Sequence, residues 1–303
     1  MTLNHSDTFP KLNILILGAS GMLGSALFSH LPKVSESYCI FGTHRGAKKL
    51  PMEMPRAKLL LLEDVFQREA LLSIMRENNI DIVINAVGLI KQIGQSLRQS
   101  DFVKVNSWLP HYLMELCDEV HARFIEISTD CVFTGEKGNY CESDIPDARD
   151  IYGLSKLLGE VHDNKNAITI RTSIIGHESG RAASLIDWFL STSGVVGGYN
   201  KAIFSGFPTV YLADIIGRYV LPAPSLNGLF HVSADPIDKY SLLALVSEVY
   251  KHNVELIENE DLEIDRSLDS SKFRRETSFT PPKWAELINI MKEGRVAWTN
   301  YEQ

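Results

Sequence analysis

The stretch LNILILGASGMLGSALFSHL, residues 12–31, carries no charged side chain. About 20 apolar residues are enough to cross a bilayer, so a membrane span is the first reading to test. The content argues against it. Gly18, Gly21 and Gly24 recur in a G-x-x-G-x-x-G spacing, and three serines and His30 dilute the apolarity. A secretory signal needs a charged start and a small-residue cleavage site. Lys11 is the only charge close before the run, and no A-x-A-like site follows. The stretch divides better in two. LNILIL is an apolar run of strand length, and GMLGSALFSHL puts Met22, Leu23, Ala26 and Leu27 at helical spacing.

A strand, a glycine turn and a helix in that order make an entry for a dinucleotide. Backbone N–H groups at a helix N-terminus, aided by the helix dipole, attract a pyrophosphate. Gly18 permits the tight turn, Gly21 lets the backbone approach phosphate, and Gly24 lets the helix pack closely. The expected cofactor-binding set here is Gly18, Ser20, Gly21, Met22 and Leu23. A plain glycine-bearing turn is the competing reading, weakened by the strand before and the helix after. An acid about 20 residues further on would accept from the ribose 2′-hydroxyl of NAD, whereas arginine accommodates a 2′-phosphate. Thr43, His44 and Arg45 stand there with no acid, so NADPH is expected and NADH is left open.

The remaining chain repeats the rhythm. Strands are read at Tyr38–Thr43, in KLLLLEDV ending near Glu63, in DIVINAVG ending near Val87, in RFIEIS ending at Ser128, and in AITIRT. Helices are read over residues 67–78, 102–119 and 151–163 between them. Alternation of this kind implies parallel βαβ units, hence an α/β, Rossmann-type doubly wound parallel sheet. The strand runs read as apolar throughout, as strands covered on both faces should. Past Arg171 the rhythm breaks into the loop-rich STSGVVGGYN, and GLFHVS returns as one more strand. The expected organisation is a cofactor-binding domain of residues 11–172 with 207–234, and a small discontinuous lobe of 173–206 with 235–303.

Composition sets the outer limits. The net charge of −8 disfavours nucleic-acid binding, which needs a basic face. Cys39, Cys117, Cys131 and Cys141 form no C-x-x-C pair, and no metal site is expected. With no signal peptide read, the expected location is the cytoplasm, thiols free and no membrane contact.

ISTDCVFTG places Ser128 and Thr129 just past the carboxyl end of the fifth strand, where ligands of such sheets bind. YGLSK then sets Tyr152 and Lys156 four apart on one face of a helix. A lysine ammonium beside a phenol favours the phenolate and lowers its pKa. Tyr152 would protonate a carbonyl oxygen as a hydride reaches its carbon, with Thr129 donating to the same oxygen. Y-x-x-x-K alone is a weak signal, equally a surface tyrosine beside a solvated lysine. Its place downstream of the glycine turn and Thr129 gives it weight.

On these residues the chain resembles the extended short-chain dehydrogenases/reductases, and within them the dTDP-4-dehydrorhamnose reductase family. GASGMLGSAL, INAVG, Val105–Asn106, ISTDCVFTG, ARDIYGLSKLLGE and IRTSIIG occur in the family's order, followed by FSGFPTVYLADII, SLDSSKF and PPKWAELI. The resemblance implies a catalytic Thr129, Tyr152 and Lys156, with Lys156 also holding the nicotinamide ribose. It implies that Asn106 positions a water or backbone near the lysine; a buried helix amide is the competing reading. Asp64 and Val65 match adenine contacts, though Asp64 reads equally as a helix N-cap. Ala86, Val87 and Gly88 match the loop passing under the cofactor. The implied activity is reduction of a nucleotide-activated 4-keto-6-deoxy sugar, with a homodimer compatible.

The chain departs from the family where the sugar would sit. Cys131 replaces a tyrosine after STD, and Ile174 replaces a tryptophan after RTS. Asp130, Cys131, Ile174, Phe204, Thr209 and Lys91 are the substrate candidates. Lys91 reads also as a solvated loop lysine, and Phe204 as core. Asp130 after the catalytic threonine keeps open an NAD-dependent epimerase or dehydratase of the same fold. One branch resembling the family serves as a regulatory subunit, which the intact catalytic set argues against.

Overall fold

The computed structural model describes residues 11–46, 53–90, 97–178 and 184–299. β1 (Leu12–Leu17) leads into α1 (Met22–Val34), β2 (Tyr38–His44), β3 (Glu53–Met54), β4 (Ala57–Leu61), α2 (Arg68–Glu77) and β5 (Ile82–Asn85). A helical segment follows, made of α3 (Gln99–Phe102), a π-helical turn (Val103–Trp108) and α4 (Leu109–Val120). Then come β6 (Arg123–Thr129), α5 (Ile151–Leu158), β7 (Ala167–Thr172), β8 (Ile174–Ile175), α6 (Leu185–Ser191), β9 (Val195–Tyr199), β10 (Ala202–Phe204) and β11 (Phe207–Pro208). The chain ends with α7 (Thr209–Ile215), β12 (Gly228–His231), β13 (Ile237–Asp238), α8 (Lys239–Tyr250), β14 (Glu255–Asn259), β15 (Ile264–Asp265), α9 (Ser271–Thr277) and α10 (Trp284–Thr299).

The main sheet runs in the order β12-β7-β6-β5-β1-β2-β4-β3. Seven strands are parallel and flanked by helices in a Rossmann-like arrangement, with β3 antiparallel on the β4 edge. Strand order reverses at β1: the chain winds outward to β2 and β4, then returns to β5 on the other side. In open parallel sheets ligands bind outside the carboxyl ends of the strands, at the point where the order reverses.

β1 shows why the run LNILIL carries no alternation of polarity. Ile14 and Ile16 enter an apolar cluster with α1, α7, α8 and α10 on one face, while Leu15 and Leu17 enter a second cluster with α2 and α4 on the other. All four are fully buried, so either face would lose its packing on a polar substitution. No helix among the described residues is long and apolar enough to cross a membrane.

The expected helix over 151–163 stops at Leu158, because Gly159 lies on the π-helical turn, where a Cβ would come within 1.9 Å of the Asn106 carbonyl. STSGVVGGYN is not merely loop: Val195–Tyr199 forms β9, paired in parallel with β14. Gly197 and Gly198 conceal it, since glycine disfavours strands. Gly198 is needed there, because α8 brings Tyr240 Cα to 2.8 Å from where a Cβ would stand.

Candidate active site

At the end of β1 the chain turns at Gly18, whose φ of +80° lies in the left-handed region. A Cβ on Gly18 would meet Val87 Cγ2 at 3.0 Å, and one on Gly24 would lie 2.1 Å from the Gly18 carbonyl. Gly21 is the N-cap of α1, and no side chain caps it. Helix α1 therefore packs directly onto its own turn, and its N-cap residue contributes no side-chain cap. This cradle fits a dinucleotide pyrophosphate. Thr43 Oγ1 accepts from Gly18 N at 3.2 Å and Thr43 O from Ala19 N at 3.0 Å, tying the turn to β2.

Past β2, Arg45 is exposed, and His44 Nδ1 accepts from Gly46 N at 3.1 Å. His44 Nε2 is buried and has no hydrogen-bond partner among the described residues. Asp64 is exposed and accepts from Phe66 N at 3.0 Å, and Gln67, not Asp64, is the N-cap of α2. Its N-cap reading is therefore replaced by an Asx turn. Val65 is half-buried against the second apolar cluster. Ala86 and Val87 press on Gly18, and Gly88 follows beside Asn106.

β6 ends at Thr129, and a single 3-10 turn, Asp130–Val132, follows. Thr129 Oγ1 accepts from Cys131 N and donates to Asp130 Oδ1, each at 3.1 Å. Helix α5 starts on Asp150, whose carboxylate accepts from Tyr152 N and Gly153 N at 3.1 Å. Gly153 lets the helix lie on the turn, since a Cβ would come within 2.2 Å of the Cys131 carbonyl. These contacts bring the Tyr152 hydroxyl into a hydrogen bond with Thr129 at the carboxyl edge of the sheet.

The electrostatics differ from the expectation. Burial raises the Tyr152 phenol well above its ordinary value; Cys131 adds to the rise and the Thr129 hydrogen bond opposes it. The Lys156 ammonium is bonded elsewhere. Its Nζ donates instead to Glu126 Oε1 and to the Ile127 carbonyl, both at 2.8 Å, with the lysine side chain 7% and the glutamate 1% exposed. Shared helix face is a weak constraint on a long side chain, whereas a buried carboxylate is a strong one. Asn85 Nδ2 donates to Glu126 Oε2 at 2.7 Å.

Asn106 lies in the π-helical turn and is fully buried. Its Oδ1 accepts from Leu89 N at 2.9 Å, while Nδ2 donates to Leu89 O at 3.0 Å and Ser155 Oγ at 3.1 Å. The amide thus joins the loop after β5 to α5, rather than the lysine to either.

Asp130 is buried, and desolvation raises its carboxyl above the usual range, opposed by Arg266 and Lys239 among others. Burial pushes the Cys131 thiol up to about 12, so it is a poor nucleophile, and Arg266 Nη1 lies 3.6 Å from its sulfur. Phe204 is core, 5.5 Å from the Trp284 ring, yet its face carries Lys239 Nζ at 4.2 Å. Ile174 is half-buried and pairs with Phe207. A Cβ on Gly176 would meet Thr209 Oγ1 at 2.6 Å and Met22 Sδ at 3.6 Å, which places Thr209 near the start of α1. Lys91 lies outside the described residues. Sequence reasoning missed Glu126, Asn85, Lys239 and Arg266. The signal for Glu126 was legible: one carboxylate within RFIEIS, a strand covered on both faces, needs a buried partner.

The profile of the RmlD substrate binding domain matches residues 12–192. The chain belongs to this family. A curated relative, the probable low-salt glycan biosynthesis reductase Agl14 of Haloferax volcanii, is 30% identical over 58% of this chain and 59% of its own length, so the match spans under two thirds of that protein. The dTDP-4-dehydrorhamnose reductase of Aggregatibacter actinomycetemcomitans is 26% identical over 74% of each chain. The methionine adenosyltransferase 2 subunit beta of Xenopus tropicalis is 25% identical over 80% of this chain and 73% of its own. Among solved structures, a hypothetical dTDP-4-dehydrorhamnose reductase from Sulfolobus tokodaii superposes with a TM-score of 0.72, 26% identity, and 90% and 98% of the two chains covered. The Bacillus anthracis dTDP-4-dehydrorhamnose reductase solved with NADP shares the RmlD fold at a TM-score of 0.76, 22% identity, and 93% and 99% coverage.

Proposed function

We propose that the protein is an NADPH-dependent reductase of a nucleotide-activated 4-keto-6-deoxy sugar, supplying a deoxysugar precursor for surface polysaccharide. The observation that carries the reading is the hydrogen-bonded Thr129–Tyr152 pair at the carboxyl end of β6, on the same edge of the parallel sheet as the Gly18 turn. The reductases among its relatives support it.

In this reading Gly18, Ser20, Gly21, Met22 and Leu23 hold the pyrophosphate. His44 and Arg45 meet the 2′-phosphate, and Asp64 and Val65 flank the adenine. Ala86, Val87 and Gly88 form the floor, and Lys156 holds the nicotinamide ribose. When bound, the cofactor supplies a hydride for the sugar carbonyl. Tyr152 gives its proton to the carbonyl oxygen, and Thr129 turns its one hydroxyl hydrogen from Asp130 to the same atom. Burial of the phenol keeps it protonated at neutral pH, the form that reduction needs. Asp130, Cys131, Ile174, Phe204 and Thr209 line the sugar side, and Asn106 fixes α5 against the loop after β5. The test is NADPH oxidation against dTDP-, UDP-, GDP- and CDP-linked 4-keto-6-deoxyhexoses, with turnover of one of them expected. Copurification of stoichiometric NAD and no NADPH consumption would instead indicate an epimerase or dehydratase.

A second reading, a subunit of another enzyme, rests on the likeness to the methionine adenosyltransferase subunit over 80% of the chain. It predicts no NADPH oxidation with any keto-sugar nucleotide and a stable complex with a second protein.

A further inference from the structure

The strand that delivers Thr129 also carries a buried acid. Glu126 is 1% exposed on β6, and burial raises its carboxyl above the usual range, opposed chiefly by Lys156. Its two oxygens have different partners: Oε1 takes Lys156 Nζ at 2.8 Å, and Oε2 takes Asn85 Nδ2 at 2.7 Å. Asn85 in turn accepts from Val87 N at 3.1 Å through its Oδ1. One carboxylate therefore joins the lysine of α5 to the loop that presses on Gly18. Lys156 has three N–H donors, and Glu126 and the Ile127 carbonyl take two of them, at 2.8 Å each. The third is the one left for a ribose hydroxyl.

We propose that Glu126 is a positioning residue of the reductase site: it is the buried counter-ion that holds the Lys156 ammonium and aims its remaining donor at the cofactor ribose. The proposal rests on the reductase reading above. Other charged groups face this pair from each side. Glu160, beyond the end of α5, acts on Glu126. Asp150 at the start of α5 and Asp130 and Cys131 on the turn after β6 act on Tyr152. Lys104 on the π-helical turn is directed at Phe66, and Asp101 on α3 pairs with Arg98. Glu126 alone among them bonds the ammonium directly. Without it, Lys156 would be a buried cation with no counter-ion, a situation that drives lysines to lose their proton.

The test is Glu126→Gln, which keeps the shape, removes the charge and leaves one oxygen in place of the two that accept from Lys156 and Asn85. In the unaltered enzyme and the variant, carbonyl reduction is followed across pH. Expected is a fall in kcat of about tenfold and an alkaline limb moved to lower pH by about one unit, the size of effect a close opposite charge exerts. A residue that merely supports the fold would change the amplitude and leave the limb in place, and that result would overturn the proposal. Glu126→Asp, which keeps the charge but withdraws it by one methylene, covers the case in which the glutamine variant does not fold. It should show a smaller shift in the same direction, and an unchanged limb and kcat would count against the idea. Independently of activity, proteins with lysines carbon-labelled at Cε are titrated by NMR, the Lys156 signal being identified by its loss in Lys156→Arg. It should change charge state at lower pH in Glu126→Gln than in the unaltered protein; coincident titrations contradict the proposal. If the unaltered protein reduces no keto-sugar nucleotide, the proposed function fails, and the lysine titration still decides the role of Glu126.

Discussion

Arg171 holds Glu160 through two parallel hydrogen bonds, Nε to Oε1 and Nη2 to Oε2, each 2.7 Å long, with both side chains at most 3% exposed. Ser128 Oγ adds a third bond of 2.7 Å to the same carboxylate. The network pins the segment after α5 to β6 and β7, one residue before Thr129. Removing one partner of a buried pair strands the other charge, at a cost of about 3–5 kcal/mol. Glu160→Ala should lower unfolding free energy by that amount in urea titrations. A loss below about 1 kcal/mol would place the pair with exposed ion pairs in effect.

His231 extends this network and predicts a pH dependence. It is fully buried; its Nδ1 donates to the Tyr140 carbonyl at 2.9 Å, and its Nε2 accepts from Arg171 Nη1 at 3.3 Å. Burial first, and Arg171 next, lower its pKa from 6.5 to about 4. The unfolded chain takes up this proton at higher pH than the folded one, so stability is complete above about pH 6.5 and falls as pH drops toward 4. The loss should approach about 3 kcal/mol from this group. Denaturation curves taken across that window, compared with His231→Asn, check it: the variant should lose that part of the slope.

Gly153→Ala forces α5 off the Cys131 carbonyl, because the added Cβ would stand 2.2 Å from that oxygen. Tyr152 moves with the helix. Displacement of about 1 Å at a reacting group can cost about 100-fold in rate. Turnover should fall by that order while NADPH affinity, measured by fluorescence, stays within a few fold. Equal losses in both would mean that the whole site had collapsed.

Arg45 is exposed just past β2, and the proposed function assigns it to the 2′-phosphate. Charge-assisted hydrogen bonds contribute about 1.5–3 kcal/mol, so Arg45→Ala should weaken NADPH by about 10- to 100-fold. NADH, lacking that phosphate, should be little affected. A variant that loses both cofactors alike would assign Arg45 to something other than phosphate recognition.

The sheet was readable because each strand repeats one signal, an apolar run of strand length between helical spacings. β1, β6 and β7 lie where the runs stand. The glycine turn was equally plain, since Gly18 and Gly24 answer to steric demands that only glycine meets. β9 was hidden because its glycines answer to α8 rather than to strand propensity. At the site, Thr129 and Tyr152 were legible from motif and position. The direction of Lys156 was not, because helical spacing fixes a side chain's starting point and the buried Glu126 decides where its ammonium ends. Lys239 and Arg266 reach Asp130 from the far end of the chain, and no local pattern announces such contacts.

Tyr152 is the proposed proton donor to a sugar carbonyl. Tyr152→Phe should bind NADPH as the unaltered protein does, yet oxidise it with a keto-sugar nucleotide about 100- to 10,000-fold more slowly. A phenylalanine variant that turns over at the unaltered rate would contradict the assignment.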